Sequence, residues 1–160
     1  IDVGYGQFAW ELRNDPRVHL MERTNIRYVT PEDIKSLCDI CTIDVSFISL
    51  KLVLPVVKNL VKHGGEIICL IKPQFEAGKD KVGKKGLVKD KKIHIEVIES
   101  IVIFCNTIDL RPIDLDFSPI TGSTGNIEYL LYMSADMNHN IIEIENIEKL
   151  VERAHDALYS

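Results

Sequence analysis

Glu66-Ile67-Ile68-Cys69-Leu70-Ile71-Lys72-Pro73 places an unbroken apolar run directly before a lysine and a proline. A short, continuous apolar run of this kind is typical of a strand buried in a parallel sheet. A second run, from Ile40 to Val45, carries Asp44 near its end. Because ligands of open α/β sheets bind at the carboxyl ends of the strands, we expect Lys72 and Asp44 to face one crevice.

Strand and helix patterns alternate along the rest of the chain. Further strands are predicted at Ile1 to Val3, Arg17 to Met21, Leu110 to Phe117 and Ile127 to Ser134. Helices are predicted up to Asn14, after Thr30, from Ser49 to Gly64-Gly65, after Asp90, and from Glu143 to Leu158. This order predicts an α/β fold with a largely parallel sheet and helices on both faces. No helix separates the last two strands, which predicts that one of them is antiparallel.

The composition indicates one soluble domain. The chain has 160 residues, of which 46% are apolar, enough to form a single core. The longest apolar runs, such as Ile67 to Ile71 and Ile101 to Cys105, are too short to span a bilayer. We therefore expect a cytoplasmic protein without a membrane partner.

Cys38 and Cys41 have the spacing of half a zinc site. No second pair follows in the sequence, and the five histidines are scattered singly. A lone pair beside a strand is usually small core filler, so we predict no metal site.

The charge is distributed unevenly along the chain. The net charge is -5, but eight lysines and three acids between Lys72 and Lys92 give that stretch +5. The lysine loop, residues 78–89, follows the predicted site and is long enough to indicate function or disorder. We predict that it contacts RNA phosphates through Lys79, Lys81, Lys84 and Lys85. The alternative is a mobile, solvated loop whose lysines only aid solubility.

Several motifs resemble one known family. They are Asp2-Val3-Gly4-Tyr5-Gly6-Gln7, Glu22-Arg23-Thr24-Asn25, Asp44-Val45-Ser46-Phe47-Ile48-Ser49, Lys72-Pro73-Gln74-Phe75-Glu76, Gly86-Leu87-Val88 and Gly125-Asn126-Ile127-Glu128-Tyr129. Together they resemble the bacterial hemolysin-A-like proteins, a branch of the FtsJ-type ribosomal RNA 2′-O-ribose methyltransferases. The resemblance extends to about Ala135.

The resemblance implies a Rossmann-like methyltransferase sheet and an enzyme that depends on S-adenosylmethionine. It implies transfer of a methyl group to a ribose 2′-hydroxyl, of a cytidine in this family, with ribosomal RNA or a ribosomal subunit as partner. It also implies a Lys-Asp-Lys-Glu tetrad, whose last three members match Asp44, Lys72 and Glu128. In this scheme Lys72 accepts the proton, and the two carboxylates support it.

The cofactor-binding residues are predicted mainly around the first two motifs. They are Asp2, Tyr5, Glu22, Asn25, Ser46 and Phe47. Asp2 ends a predicted strand before a glycine turn, where an acid accepts hydrogen bonds from both ribose hydroxyls. The alternative for Asp2 is an acid that stabilises a helix N-terminus, and for Glu22 and Asn25 it is a solvated turn.

In this family the central strand, its glycine-rich loop and the first catalytic lysine precede the strand placed here at Ile1 to Val3. We therefore interpret residues 1–160 as one partial methyltransferase domain. We expect a gap in the sheet between Ile1 to Val3 and Ile40 to Val45, or a strand of another molecule that fills it. Exposed strand edges of this kind favour self-association.

Two other functions stay open at this point. The chain could be an RNA or nucleotide binding module without chemistry. A dinucleotide oxidoreductase shares the fold and the position of Asp2, but it gives no reason for a lysine and two acids beside a basic loop. The stretch Gly122-Ser123-Thr124-Gly125 lacks the lysine of a P-loop, and we predict a turn there.

Overall fold

The sheet has mixed topology. A computed structural model describes residues 1–138 and 144–159, and within these residues there are four strands. They are β1 (Cys38–Ile43), β2 (Val61–Ile71), β3 (Arg111–Phe117) and β4 (Tyr129–Ser134), in the spatial order β1-β2-β4-β3. Strands β1 and β2 are parallel, and β4 runs antiparallel to both of its neighbours. The predicted parallel pair and the predicted antiparallel strand near the end are confirmed.

Two of the described helices begin at residues whose side chains cap them. The described helices are α1 (Trp10–Arg13), α2 (Leu50–Lys58), α3 (Pro73–Glu76), α4 (Lys91–Thr107) and α5 (Ile144–Leu158). Ser49 and Asp90 each accept the backbone N–H two residues ahead, at 3.2 and 2.9 Å, as predicted for both caps. Thr30 begins only one 3-10 turn, Pro31–Asp33. The helix start predicted at Glu143 lies outside the described residues.

One face of the sheet carries the core. Buried residues alternate along β2 and β4, and Ile43 of β1 joins them; the alternating residues are Ile67, Cys69, Ile71, Tyr129, Leu131 and Met133. Helices α2, α4 and α5 cover this face, and their apolar side chains join the same cluster. On the opposite face Ile40, Ile68 and Leu70 stay at least partly exposed. Helices were predicted on both faces, and in the described part of the chain they cover one.

The N-terminal strands predicted at Ile1 to Val3 and Arg17 to Met21 are wrong. The Asp2 N–H donates to the Met21 carbonyl, and the Thr24 N–H, just beyond the second segment, donates to the Asp2 carbonyl, both at 2.9 Å. Neither segment belongs to the sheet, and two extended segments without further neighbours are marginal as strands. The predicted helix up to Asn14 is likewise reduced to the single turn α1.

The glycine pair Gly64-Gly65 was predicted to end α2. It lies inside β2 instead. Helix α2 already ends at Lys58, and β2 begins at Val61. Gly64 has φ of +74°, a left-handed conformation that glycine adopts without strain. The pairing between β1 and β2 shifts register at this point. The glycines therefore form an irregularity in a strand, of the kind that β-bulges produce.

Within the described residues β1 pairs with β2 alone. The segments predicted as strands at 1–3 and 40–45 do not pair with each other. Self-association through the other edge of β1 stays a prediction. No helix in the described ranges is long and apolar enough to cross a membrane.

A buried polar network joins α4, β4 and α5. His94 Nε2 lies 2.9 Å from the Val88 carbonyl, and Nδ1 lies 2.7 Å from the Tyr129 hydroxyl and 3.4 Å from His155 Nε2. Because a carbonyl only accepts, Nε2 carries the hydrogen and Nδ1 accepts from Tyr129. Burial lowers the pKa of His94, and burial together with the proximity of His94 lowers the pKa of His155 to about 4.

These histidines should make the protein less stable in mild acid. An unfolded histidine has a pKa of about 6.5, so between about pH 6.5 and 4 the unfolded chain binds protons that the folded chain does not. The free energy of unfolding should therefore be highest above this window and fall as the pH decreases through it. Urea unfolding at pH 7.5 and 5.0 measures the loss, which His155→Gln should reduce. An equal loss in both proteins would contradict the assignment.

Candidate active site

Three charged side chains meet at one edge of the sheet. Lys72 Nζ lies 2.5 Å from Asp44 Oδ1 and 3.9 Å from Glu128 Oε1. It also lies 3.4 Å from Ser46 Oγ. The side chains of Lys72 and Glu128 are each 12% exposed, whereas that of Asp44 is 67% exposed. Lys72 and Asp44, which were expected to face one crevice, thus lie together with Glu128.

The sheet topology explains this convergence. Asp44 follows β1 and Lys72 follows β2, and because these strands are parallel, both residues leave the same edge. Glu128 comes directly before β4, which is antiparallel, so its N-terminal end lies at that edge too. Ile71 pairs with Tyr129, which places Lys72 beside Glu128.

Glu76 connects the loop after β1 to the turn after β2. Its Oε1 accepts the Leu50 N–H at 2.7 Å, and its Oε2 accepts the Ser49 hydroxyl at 2.7 Å. A carboxylate at a helix N-terminus satisfies amides that have no partner inside the helix, and the helix dipole favours it. Glu76 therefore holds the start of α2 against α3. This role could not be predicted from the sequence, because Glu76 and Leu50 are 26 residues apart and no local pattern connects them.

Phe47 adopts an unusual backbone conformation beside Asp44. Its φ is +62°, which is costly for a residue other than glycine. Its side chain is 90% exposed, and its ring centroid lies 4.9 Å from that of Phe75. The loop thus presents an aromatic ring to solvent, and it is held at one end by Ser49 and Glu76.

The three charges line a cavity of about 660 Å³. The other lining residues are Ser46, Phe47, Leu70, Gln74, Phe75, Lys85, Gly86, Ser118, Ile120, Thr121, Gly122, Ser123 and Thr124. The turn predicted at residues 122–125 is confirmed, because the Gly125 N–H donates to the Gly122 carbonyl at 2.8 Å. Of the six residues predicted to hold the cofactor, Ser46 and Phe47 line this cavity.

Asp2 and Tyr5 lie outside the lining of this cavity. The Asp2 carboxylate accepts the Gly4 N–H at 2.7 Å, which fixes its orientation within its own turn. The Tyr5 ring is exposed, and the Arg23 guanidinium lies over it, 4.0 Å from the ring centroid.

Glu22 and Asn25 also lie outside the lining and are bound to their own surroundings. Glu22 pairs with Arg13 at 2.7 Å and accepts the Gly6 N–H at 2.7 Å. The Arg13 guanidinium holds the pKa of the Glu22 carboxyl below its ordinary value. Asn25 caps a 3-10 turn by accepting the Arg27 N–H at 3.1 Å. The roles of these residues at a cofactor stay predictions.

The four lysines predicted to bind RNA lie on two 3-10 turns, Lys79–Lys81 and Lys84–Gly86. All four are exposed. Lys81 forms an ion pair with Glu96 on α4, and Lys85, which has φ of +63°, lines the cavity. The lysine loop therefore reaches the site through its second turn.

Asn126 anchors this loop, a role that the sequence analysis missed. It is fully buried. Its Oδ1 accepts the Val88 N–H at 2.9 Å, and its Nδ2 donates to the Gly86 carbonyl at 2.9 Å. This anchor could not be predicted from the loop itself, because it is supplied from the distant turn before β4 and leaves no local signal in the loop.

Cys38 and Cys41 lie in different surroundings on β1. Residues three apart on a strand point to opposite faces of the sheet. Cys38 is exposed, contrary to its prediction as core filler, whereas Cys41 packs against the core. Burial raises the pKa of Cys41 to about 11, which keeps it a thiol.

Comparisons with known proteins agree with this architecture. The pattern of the family described as FtsJ-like methyltransferase matches residues 1–135. The chain is 48% identical to "Putative rRNA methyltransferase YqxC" of Bacillus subtilis strain 168, over 99% of this chain and 58% of that protein. It is 39% identical to the 16S/23S rRNA (cytidine-2'-O)-methyltransferase TlyA of Mycobacterium tuberculosis H37Rv, over 96% of this chain and 57% of that protein.

A solved structure described as "Putative hemolysin from Streptococcus thermophilus" has the same fold. It superposes with a TM-score of 0.93 at 39% identity, over 98% of this chain and 57% of that one. The chain therefore spans less than two thirds of the length of these relatives. The family pattern covers most of the chain, and the relatives and the fold agree with it, so the chain belongs to the FtsJ-like methyltransferase family.

Proposed function

We propose that this chain carries the catalytic centre of an enzyme that methylates a ribose 2′-hydroxyl of ribosomal RNA. The observation that carries the proposal is the cluster of Lys72, Asp44 and Glu128 inside one cavity at the edge of the sheet. The relative named as a cytidine-2'-O-methyltransferase supports a cytidine as the target. Such a substrate, within RNA or a ribosomal subunit, is found in the cytoplasm.

The three side chains suit removal of a hydroxyl proton. In the proposed reaction the Lys72 ammonium first releases a proton to solvent. Its neutral Nζ then accepts the proton of the 2′-hydroxyl, which restores the ammonium between the two carboxylates. Asp44 lies 2.5 Å from Lys72 Nζ and makes the stronger contact, and Glu128 lies 3.9 Å from the same atom. Both carboxylates favour the charged product of the transfer, so they help to draw the proton from the substrate.

The chemistry of the predicted cofactor residues fits S-adenosylmethionine. A carboxylate accepts about four hydrogen bonds, so Asp2 keeps acceptor capacity for ribose hydroxyls beyond its bond to Gly4. Ser46 and Phe47 supply a hydroxyl and an apolar ring at the cavity. S-adenosylmethionine would supply an electrophilic methyl group, while the residues of this chain bind it and orient the nucleophile.

Features around the cavity suit RNA. Lys85 lines the cavity and is exposed, and the exposed Lys84 precedes it in the chain, so their ammonium groups can contact phosphates. The exposed Phe47 ring is a flat apolar surface that lines the same cavity as Lys72, and protein aromatic rings stack on unpaired RNA bases. The mouth of the cavity thus combines cationic and aromatic groups with the three charges.

Replacing the proton acceptor should separate catalysis from binding. In the complete protein, Lys72→Ala should lower methyl transfer to ribosomal RNA by about 100-fold or more, the range of general base catalysis. Calorimetric titration should show binding of S-adenosylhomocysteine within about twofold of the unchanged protein.

Lys62→Ala is the matched control, because Lys62 pairs with Asp39 at the opposite end of β2. It should leave both quantities unchanged. Equal loss of transfer and cofactor binding in Lys72→Ala would indicate a structural ion pair. RNA binding without transfer by the unchanged protein would favour a binding module without chemistry.

The lysine loop should determine the salt dependence of RNA binding. Replacing Lys79, Lys81, Lys84 and Lys85 by glutamine should weaken binding. It should also reduce the slope of log K against log salt by about 0.7 to 0.9 per phosphate contact removed. Titrations of ribosomal RNA at several salt concentrations measure this slope. Lys58→Gln with Lys62→Gln is the control, and an unchanged slope in the loop variant would show that its lysines are only solvated surface.

A further inference from the structure

Gln74 contacts Glu128 in an orientation that leaves one of its own atoms unpaired. Its Nε2 donates to Glu128 Oε1 at 3.3 Å. Its carbonyl oxygen is buried and has no hydrogen-bond partner in the described part of the chain. Since an ionised carboxylate only accepts hydrogen bonds, the amide nitrogen must face Glu128, and the unpaired carbonyl follows from that contact.

Gly122 contacts the same carboxylate from the turn before β4. A Cβ at this position would lie 2.6 Å from Glu128 Oε1 and 3.1 Å from its Cδ, closer than such atoms approach each other. The φ of Gly122 is not in the left-handed region, so a side chain at this position is opposed by the space that the Glu128 carboxylate occupies and not by the backbone conformation. The Gly122 N–H donates to the Asn126 carbonyl at 2.8 Å, which holds the turn in place.

The contact with Gln74 is unfavourable for stability taken alone. A buried carbonyl oxygen without a partner loses its hydrogen bonds to water and gains none in return. An apolar side chain of similar volume would avoid this loss. Unsatisfied polar groups in otherwise well-satisfied structures are concentrated where function requires a particular arrangement.

We infer that Gln74 and Gly122 are positioning residues that fix the Glu128 carboxylate beside Lys72, an inference that rests on the proposed function. The Gln74 amide holds Oε1 by a hydrogen bond, and the bare Cα of Gly122 leaves the space that this oxygen occupies. Together they set the separation of 3.9 Å between Oε1 and Lys72 Nζ. Neither residue takes part in proton transfer.

Two substitutions test this inference in the complete protein. Gln74→Met removes the unpaired carbonyl, so the melting temperature should equal or exceed that of the unchanged protein. The new Cβ of Gly122→Ala would contact only the end of the Glu128 side chain. The melting temperature of this variant should therefore change little, but the Glu128 carboxylate must move. Both should lower kcat for methyl transfer by about 10- to 100-fold, the cost of misplacing a catalytic group by about 1 Å. KM for the RNA should change little.

The assay follows transfer of a tritiated methyl group from S-adenosylmethionine to ribosomal subunits that lack 2′-O-methylation. Unchanged kcat in both variants would overturn the inference. Asn106 on α4 is the control, since its carbonyl oxygen is also buried and has no partner among the described residues, while its Nδ2 donates to the Val102 carbonyl at 3.0 Å. Asn106→Leu should change the melting temperature only. A drop in kcat equal to that of Gln74→Met would show a nonspecific effect and would also overturn the inference.

A spectroscopic experiment tests the contact without any reaction. This chain has two glutamines, Gln7 and Gln74, so glutamine-selective ¹⁵N labelling reports both side-chain amides, and Gln74→Met identifies the second. Glu128→Ala should shift the Gln74 amide signals and leave those of Gln7 in place. Unshifted Gln74 signals would overturn the inference. A shift in a protein that transfers no methyl group would support the contact while refuting the proposed function.

Discussion

The ammonium of Lys72 at the end of β2 is the constraint on which the site depends. Its side chain is 12% exposed, and a charge in such surroundings is costly unless opposite charges and hydrogen bonds compensate it. Asp44 and Glu128 provide that compensation, and each lies directly beside a strand adjacent to β2. The pairing of β1 and β4 with β2 is therefore coupled to the charge balance of the cavity.

Three residues of the short helix α3 make the contacts that hold the loops of the site in place. Gln74 binds Glu128, Phe75 packs against Phe47, and Glu76 caps α2. One turn after Lys72 thus reaches each of the other two loops that carry site residues. Two of these contacts involve residues in energetically unfavourable arrangements. Phe47 has a left-handed backbone conformation, and the buried Gln74 carbonyl oxygen has no hydrogen-bond partner in the described part of the chain. Costs of this kind persist only where the surrounding structure holds them in place.

Features with a local signal could be predicted from the sequence. The apolar runs of β1 and β2, the caps Ser49 and Asp90, and the antiparallel strand β4 all arise from residues close together in the chain. The N-terminal strands were overpredicted, because a run at Ile1 to Val3 becomes a strand only with neighbours on the sheet. The roles of Glu76 and Asn126 could not be predicted, because each joins segments that are far apart in sequence. The resemblance to a family suggested which residues form the charge cluster. The distances between their side chains could be obtained only from the folded structure.

Exposure divides the site into two sides. Asp44, Phe47 and Lys85 are exposed at the cavity mouth, whereas Glu128 is mostly buried between Gln74 and Gly122. A large substrate such as RNA can approach only from the exposed side, where cationic and aromatic groups can contact its phosphates and bases. The buried side has no such access, so its contacts act on the position of Glu128 alone. Lys72 lies between these two sides. In the proposed reaction it accepts the proton from a substrate on the open side, while Glu128, its carboxylate partner on the closed side, is already held in place.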